Sequence, residues 1–455
     1  MIRPHPIWWK RCLQLLLLTG AATLPAGAQD EVHILPVSPV MILPFVLLLA
    51  AIAVMPFFQK KWWEKNYPAV SFSLGALIVL YYTLALHNVP RLLVTAQEYV
   101  SFIVLIGSLY VVSGGIHFRI RGRATPFSNV LLLAFGAVIA NVVGTTGASM
   151  LLIRPYLRVN KYRVKAHHIV FFIFIVSNAG GALTPIGDPP LFLGYLKGIP
   201  FFWITEKMWI PWLFVLVSLL SIFAIIDYRQ FRHLSKQTQI EVERTGEEPR
   251  IEGVANLGFL LAILAAVFIE HPLGAREAIM VLAAAGSYYS TNKSVHGKND
   301  FNFEPIKEVT ILFAGIFATM IPALDWLTLN SRMLGLETPG QYYWGSGLLS
   351  SFLDNAPTYL NFLTAAFGLH GMVVENPAHM TKFMSDHWQY IQAVSLGSVF
   401  FGACTYIGNG PNFMVKSIAE RSGVAMPSFF GYIVRFTLVY LLPVYAAVWF
   451  LFLRT

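Results

Sequence analysis

The chain has 455 residues, of which 56% are hydrophobic and only 12% are charged, and its formal net charge is +9. So few charges cannot cover a soluble surface of this size, which indicates a polytopic helical membrane protein and excludes a soluble enzyme. The basic residues are spread over short segments between apolar runs, as the positive-inside rule requires, so their pattern does not indicate a nucleic-acid partner.

The first 28 residues have the layout of a secretory signal peptide. Three basic residues precede an apolar run from Leu13 to Leu24, and the small residues 26–28 follow. We expect cleavage before Gln29 and an external start of the mature chain, which favours a bacterial inner membrane. Cys12 would leave with this segment, and Cys404 alone cannot form an intrachain disulfide or a cysteine metal site.

The next segments alternate between spans and basic loops. Three spans are predicted at Pro36 to Phe58, Pro68 to His87 and Glu98 to Ile116. Thr125 to Leu152 is apolar but is interrupted by polar and glycine residues at 141–147, and basic clusters flank it on both sides. A simple crossing would place one of those clusters outside. We therefore predict a re-entrant hairpin that enters from the cytoplasm, with its polar tip buried in protein.

Two later spans are each interrupted by the same kind of motif. The first crosses outward through TPIGDPPLF, from Thr184 to Phe192, and the second contains TYIGNGPNF, from Thr405 to Phe413, 221 positions later. Pro and Gly at such a depth free backbone carbonyls and amides, which hydrocarbon cannot satisfy, so these breaks require a polar cavity. Matched breaks in two halves of a chain are a pointer to the binding site of a transporter.

The second half repeats the order of the first. A charged loop, Tyr228 to Gly253, joins the halves. The later segments are spans near Val254 to Ile269, Arg276 to Tyr289 and Pro305 to Leu324, a hairpin at Tyr342 to Leu369 that enters from outside, a broken span at Tyr390 to Ser417 and a last span at Pro427 to Leu453.

This order predicts an all-α polytopic membrane protein with two inverted-topology repeats, each containing a re-entrant hairpin and a broken transmembrane helix. About ten spans and two hairpins remain after removal of the signal. The predicted divisions are a cleavable signal peptide at 1–28, an extra N-terminal span at 29–67, a first repeat at 68–227, a cytoplasmic linker and connecting span at 228–274, and a second, inverted repeat at 275–455.

Polar residues at membrane depth form four clusters, two at hairpin tips and two at helix breaks. Their carboxylate, amide, hydroxyl and freed carbonyl oxygens are the ligands that hard cations such as Na⁺ prefer. The clusters are Asn141, Gly144, Thr145 and Thr146; Ser177, Asn178, Thr184, Gly187 and Asp188; Asp354, Asn355 and Thr358; and Thr405, Asn409 and Asn412.

Asp188 and Asp354 carry most of the functional prediction. A carboxylate at bilayer depth must be protonated, paired or bound to a cation, and proton and cation compete for it. The structural alternative makes Asp188 a helix N-cap and Asp354 a cap or turn former. Arg435, about 12 Å into the last span at 1.5 Å per residue, is a possible charge partner; the alternative is snorkelling to the interface.

SNAGGALTPIGDPPLF, SFLDNAPTYL and GNGPNF together resemble the ion-transporter superfamily of sodium/proton antiporters, citrate carriers and divalent-anion/sodium symporters. The resemblance covers about Pro68 to Thr455. It implies a midplane site, an elevator-like motion and a homodimer. Carried over by position, it implies substrate or ion binding by Asn141, Thr145, Thr146, Asn178, Thr184, Gly187, Asp188, Asp354, Asn355, Thr358, Thr405, Gly408, Asn409 and Asn412.

One departure from the family separates the functional alternatives. The carboxylate symporters carry Ser-Asn-Thr in both hairpin tips, whereas this chain has Ala-Asn-Val at 140–142 and Asp-Asn-Ala at 354–356. An Asp in the tip would repel a carboxylate substrate. The sequence therefore favours a Na⁺(Li⁺)/H⁺ antiporter with Na⁺ at Asp188, Asp354 and neighbouring oxygens, without another cofactor. A Na⁺- or H⁺-coupled symporter of citrate or a related carboxylate remains the alternative.

Overall fold

The computed structural model describes residues 34–119, 124–234, 250–269 and 271–454. The predicted signal peptide and the middle of the predicted linker lie outside these residues. The helices are α1 Leu43–Phe58, α2 Lys60–Leu80, α3 Val89–Gly114, α4 Pro126–Val159, α5 Ala166–Ile175, α6 Pro189–Leu196, α7 Phe201–Arg232, α8 Ala255–Val267, α9 Ala275–Ser290, α10 Lys293–Lys298, α11 Glu304–Asn330, α12 Pro339–Ser350, α13 Asn355–Leu369, α14 Pro377–Asp386, α15 Trp388–Phe401, α16 Gly410–Arg421 and α17 Phe429–Leu453.

The described chain is almost entirely helical. Its two short strands, β1 His117–Arg119 and β2 Arg250–Glu252, pair antiparallel with Phe118 opposite Ile251. Eight helical segments of the described residues are long and apolar enough to cross a membrane. Large apolar side chains such as Leu84 and Phe127 are about 70% exposed (67% and 72%), as expected where a surface faces lipid. The predicted all-α polytopic class is confirmed.

The first predicted hairpin is α4. A straight helix of its 34 residues would be about 51 Å long at 1.5 Å per residue, enough to cross a bilayer. However, Gly144 has φ 78° and ψ 156°, which breaks the helix near its middle. Near its two ends, the side chains of Asn129 and Asn160 hydrogen-bond to each other at 2.8 and 2.9 Å. The two legs therefore return to one face.

The second hairpin consists of α12 and α13. Its tip, residues 351–354, separates two antiparallel legs, and Phe362 in the second leg packs against Tyr342 and Gly345 in the first. Ring centroids of Tyr342 and Phe362 are 6.2 Å apart. Tyr342 and Gly345 lie nine and six residues before the tip and Phe362 lies eight residues after it, so the second leg returns alongside the first.

The two hairpins open toward opposite ends of α7, which has 32 residues and is therefore about 48 Å long. The base of the first hairpin lies at the end of α7, where Asn129 donates to Asp227 Oδ2 at 3.0 Å. The start of α15, beside the base of the second hairpin, lies at the start of α7: the Lys207 ammonium lies 5.1 Å from the Trp388 ring centroid. The predicted inverted repeat is confirmed by this arrangement.

Two of the predicted spans, near Val254 to Ile269 and Arg276 to Tyr289, form helices that are short for a membrane crossing. Helices α8 and α9 have 13 and 16 residues, about 20 and 24 Å, against a hydrocarbon core of about 30 Å. Asn256 at the start of α8 bonds to Ser287 and Thr291 at the end of α9, so the pair is antiparallel. The far end of α8 reaches α6, where Tyr195 donates to the Val267 carbonyl at 2.7 Å, and the start of α7, where the ring centroids of Phe201 and Phe268 are 4.8 Å apart.

Candidate functional site

Each broken span contains a pair of glycines whose backbones touch. A Cβ on Gly187 would lie 2.1 Å from the Gly181 carbonyl oxygen, and a Cβ on Gly408 would lie 2.7 Å from the Gly402 carbonyl oxygen. No other residue type fits such a close approach without movement of the backbone. Each pair spans the short extended segment between two helical pieces. The match between the nonapeptides thus reflects a shared backbone shape.

A threonine joins each break to the hairpin tip of its own repeat. Thr184 Oγ1 accepts from the Gly187 amide at 3.1 Å and donates to the Asn141 carbonyl at 2.6 Å. Thr405 Oγ1 accepts from the Gly408 amide at 3.2 Å and donates to the Ser351 carbonyl. The same hydroxyl therefore closes the break and anchors the hairpin in both repeats.

Asp188 lies where the four polar segments meet. Its side chain is 1% exposed, and Oδ1 accepts from Thr145 Oγ1 at 2.8 Å and from Asn409 Nδ2 at 3.1 Å. Oδ2 accepts from Asn355 Nδ2 at 2.6 Å. Both hairpin tips and the second break thus donate to one carboxylate of the first break. Among the described residues, no cationic side chain pairs with it.

Four helix N-termini face this carboxylate. They belong to the second leg of α4, which resumes at Thr145, and to α6, α13 and α16, which begin after Asp188, Asp354 and Asn409. The partial positive charge at each of these ends stabilises an anion at the centre. This field and three neutral donors hold the Asp188 carboxylate without a full positive charge beside it.

Three asparagines connect the two breaks behind Asp188. Asn178 Nδ2 donates to Asn412 Oδ1 at 2.7 Å, and Asn178 Oδ1 accepts from Asn409 Nδ2 at 3.2 Å. Asn412 Nδ2 in turn donates to the Gly402 and Thr405 carbonyls at 2.8 and 2.9 Å. These amides satisfy carbonyls that the breaks release and fix the two repeats to one another.

Asp354 occupies the second hairpin tip in a different way. Its side chain is half-buried and accepts from the Ala356 amide at 3.0 Å, so it caps the N-terminus of α13. Thr358 Oγ1 donates back to the Asp354 carbonyl at 3.0 Å. The cap was the structural alternative for this residue. Its carboxylate also lies close enough to Asp188 to act on it electrostatically.

Of the fourteen predicted binding residues, thirteen belong to the two tips, the two breaks and their hydrogen bonds. Thr146 instead lines a cavity of about 40 Å³ beside the first tip, whose other wall is formed by Leu105, Ile106 and Leu109 of α3. Arg435 does not join the site: its side chain is exposed on α17, and it makes no ion pair with a described residue. This position fits the snorkelling alternative.

A buried ionic cluster at the base of the first hairpin was missed by sequence reasoning. Asp227 accepts from both Arg163 terminal nitrogens, and His168 Nε2 lies 3.0 Å from its Oδ1. With His167, these groups are close enough to hold a metal ion. However, Arg163 already occupies the carboxylate, and His168 Nδ1 accepts from the Lys165 amide, which leaves the ring proton on Nε2. We therefore assign the cluster to structure.

A second missed cluster joins the opposite end of the two repeats to α3. Arg91 contacts Asp325 at 2.9 Å and Glu375 at 3.0 Å, while Lys197 contacts Glu375 at 3.1 Å and Glu98 at 2.8 Å. Arg91 and Glu98 lie seven positions apart on α3, but the other members are distant from them in sequence, and all are surrounded by ordinary loop or span-end residues. The one sequence feature that could have indicated this cluster is the position of two basic residues, Arg91 and Lys197, beside apolar runs.

Comparisons with known proteins place the chain among membrane transporters. A family model described as "Putative citrate transport" matches residues 35–453. An uncharacterized transporter of Mycobacterium bovis and one of Mycobacterium tuberculosis are each 24% identical over 326 residues, which cover 67% of this chain and 72% of the relative. The 46 kDa membrane protein of Mycobacterium leprae is 24% identical over 321 residues with the same coverage.

Proposed function

The chain belongs to this citrate-transport family and is a secondary transporter, and we propose that it exchanges Na⁺ or Li⁺ for protons across a bacterial inner membrane. The observation that carries the proposal is Asp188. A carboxylate buried at bilayer depth without a cationic partner holds either a proton or a metal cation. Binding of one expels the other, which is the elementary event of an exchanger.

The surrounding groups suit a small, hard cation. Thr145, Asn355 and Asn409 each hold one oxygen atom within a side-chain length of Asp188, and the breaks add carbonyl oxygens. Na⁺ binds such oxygen sets. When the cation binds, the amide and hydroxyl donors can turn their oxygens toward it. The adjacent Asp354 carboxylate adds negative charge on the side of the second hairpin.

The cavity beside the first tip also favours a small substrate. Its volume of about 40 Å³ is room for a few water molecules, since one water needs at least about 10–15 Å³. A tricarboxylate is far larger. In this conformation, the space next to Thr146 therefore holds no more than a few groups the size of water.

Proton- or Na⁺-coupled citrate symport is the second candidate, and two observations favour it. The family description names citrate, and four helix N-termini converge on the site, which is an arrangement that attracts anions. Against it, Arg435 points away from the site and Asp188 already occupies the positive field. A citrate ion would have to bind while Asp188 is protonated.

The decisive experiment uses purified full-length protein in proteoliposomes with an imposed pH gradient. Na⁺, Li⁺, K⁺ or citrate is added outside, and the internal pH and the uptake of labelled citrate are recorded. We expect Na⁺ or Li⁺ to dissipate the gradient, with little response to K⁺ and no citrate uptake. Citrate uptake that depends on the gradient, without cation-driven proton movement, would replace antiport by symport.

A further inference from the structure

The two repeats differ one helical turn away from the groups that bind Asp188. Thr145 begins the second leg of the first hairpin, and Asn355 begins the second leg of the other, 210 positions later. One turn further along these legs, Ser149 corresponds to Tyr359. In the broken spans, offset by 221 positions, Ser177 corresponds to Ser398.

In the first repeat, these positions satisfy each other. Ser149 Oγ and Ser177 Oγ lie 2.8 Å apart and form a hydrogen bond between α4 and the first broken span. Both side chains are fully buried. In the first repeat, the hydroxyls of Ser149 and Ser177 are therefore both satisfied by hydrogen bonding to each other.

In the second repeat, the corresponding polar atoms are buried but do not hydrogen-bond to any described residue. Tyr359 Oη and Ser398 Oγ have no hydrogen-bond partner among the described residues, and neither have the neighbouring Ser395 Oγ and Asn355 Oδ1. All four side chains are at most 1% exposed. Leaving a buried polar atom without a partner is costly, so four such atoms on two packed helices indicate a bound group.

The four residues lie on two helices that pack together. Asn355 and Tyr359 are one turn apart on α13, and Ser395 and Ser398 are one turn apart on α15. The Ser395 hydroxyl lies beside that of Tyr359 without forming a hydrogen bond of normal geometry. On the third side, α6 leaves space for the Tyr359 hydroxyl at Gly194, where a Cβ would lie 2.3 Å from it.

We infer that these four oxygens bind water and that this water cluster carries the proton to and from Asp188. The inference rests on the proposed exchange. Three of the groups are hydroxyls, which both donate and accept, so they can pass a proton along with water. Asn355 links the cluster to the carboxylate, because its Nδ2 donates to Asp188 while its Oδ1 has no partner among the described residues and Tyr359 lies one turn further along α13.

The exchange step balances without any other reactant. When Na⁺ binds, the O–H bond of the protonated Asp188 carboxyl breaks, and its proton passes to a water of the cluster, which becomes hydronium. That water then gives a proton onward, past the Tyr359 hydroxyl, toward the face at which α15 begins. No electron transfer occurs. The reverse sequence protonates Asp188 and releases Na⁺.

The test removes the hydroxyl of Tyr359 and keeps its aromatic ring. In proteoliposomes, we expect Tyr359→Phe to lower the maximum rate of Na⁺/H⁺ exchange at least about tenfold, since a positioned proton carrier contributes about 10²-fold or more. The KM for Na⁺ and the exchange of labelled Na⁺ for Na⁺ at equal pH should stay unchanged. Tyr342→Phe is the control, because Tyr342 is also buried with an unpartnered hydroxyl but faces aromatic rings at the base of the hairpin.

A second readout does not depend on transport. Radiolysis of water by an X-ray pulse oxidises a buried tyrosine that touches bound water, so Tyr359 should be modified faster than Tyr342. Unchanged Na⁺/H⁺ exchange in Tyr359→Phe, equal loss of both kinds of exchange, or a dry Tyr359 would each overturn the inference. Absence of Na⁺/H⁺ exchange in the unaltered protein would instead overturn the proposed function, while the radiolysis still tests the water site.

Discussion

At the scale of single residues, equivalent positions of the two repeats have taken different chemistry. Asp188 and Asn409 occupy the same place in the two nonapeptides, and the amide of the second donates to the carboxylate of the first at 3.1 Å. Two acids at these positions would repel each other across that distance. One acid and one amide give a single carboxylate with a donor from the opposite repeat. The two breaks are therefore symmetric in backbone shape, but only the first of them carries a negative charge, on Asp188.

The paired glycines lead to a prediction about the breaks. A Cβ on Gly187 would lie 2.1 Å from the Gly181 carbonyl, so we expect Gly187→Ala to displace the segment that carries Asp188. Such overpacking costs about 1–3 kcal/mol, and exchange should be lost. Thermal unfolding of the purified protein and proteoliposome flux measure both effects.

Gly410→Ala is the matched control for this substitution. Gly410 lies at the start of α16 in the second break, but no atom of the described part of the chain would lie within 4 Å of its added Cβ. We expect nearly unaltered stability and flux. A Gly187→Ala protein that behaves like the Gly410→Ala protein would show that the close backbone approach is not needed.

At the scale of elements, the sequence predicted those features that local chemistry determines. Glycine, proline and buried polar residues mark both breaks and both hairpin tips, because hydrocarbon tolerates such residues only around a polar centre. The order of helices followed from apolar runs and flanking charges. The helix α14 was not predicted, because its sequence differs little from loops and span ends.

The ionic clusters show why the rest could not be predicted. Asp325 and Glu375 follow Arg91 by 234 and 284 positions in the sequence. Each of the three residues lies near the end of an apolar run. Span ends commonly carry charges that face water. Only the fold shows that these charges are buried together. The unpartnered oxygens around Tyr359 are likewise visible only once α13 and α15 are packed.

The junction between Lys197, Arg91 and Glu375 predicts a dependence of stability on pH. Burial alone would raise the pKa of the Glu375 carboxyl, but Lys197 and Arg91 hold it at about 2, below the usual 4.5. The stabilisation is therefore complete above pH 4.5 and is lost as the pH falls toward about 2. We expect Glu375→Gln to unfold at a lower temperature at pH 7 and to lose this part of the acid dependence.

Glu337→Gln serves as the control for that measurement, because Glu337 is exposed and makes no ion pair with a described residue. Its unfolding temperature should follow that of the unaltered protein at every pH. Equal unfolding curves for Glu375→Gln and Glu337→Gln would mean that the buried contacts of Glu375 contribute no net stability.

At the scale of the whole molecule, the inverted repeats give the two membrane faces of the protein a similar arrangement of helices. One hairpin opens at the end of α7 and the other near its start, so the Asp188 site lies between two similar halves of opposite direction. Such an arrangement allows a site to be exposed to one face and then to the other with little change of internal structure. The distribution of Lys and Arg predicts that the base of the first hairpin faces the cytoplasm.

Cysteine labelling tests this orientation. In a protein whose Cys12 and Cys404 are replaced by Ser, we expect Lys382→Cys to react with an impermeant maleimide on intact cells. Lys161→Cys should react only after the cells are opened, because the two exposed positions lie at opposite ends of α7. Reaction of both positions from the same side would contradict the inverted topology.

The most direct test of the central claim is exchange by Asp188→Asn, measured beside Asp386→Asn in proteoliposomes with an imposed pH gradient. The substitution keeps the size of the buried side chain and removes its charge, whereas Asp386 is exposed on α14 and serves as the control. The account predicts that Asp188→Asn loses Na⁺-driven proton movement and that Asp386→Asn retains it. Exchange by Asp188→Asn at the unaltered rate would contradict the assignment of this carboxylate as the shared binding group for proton and cation.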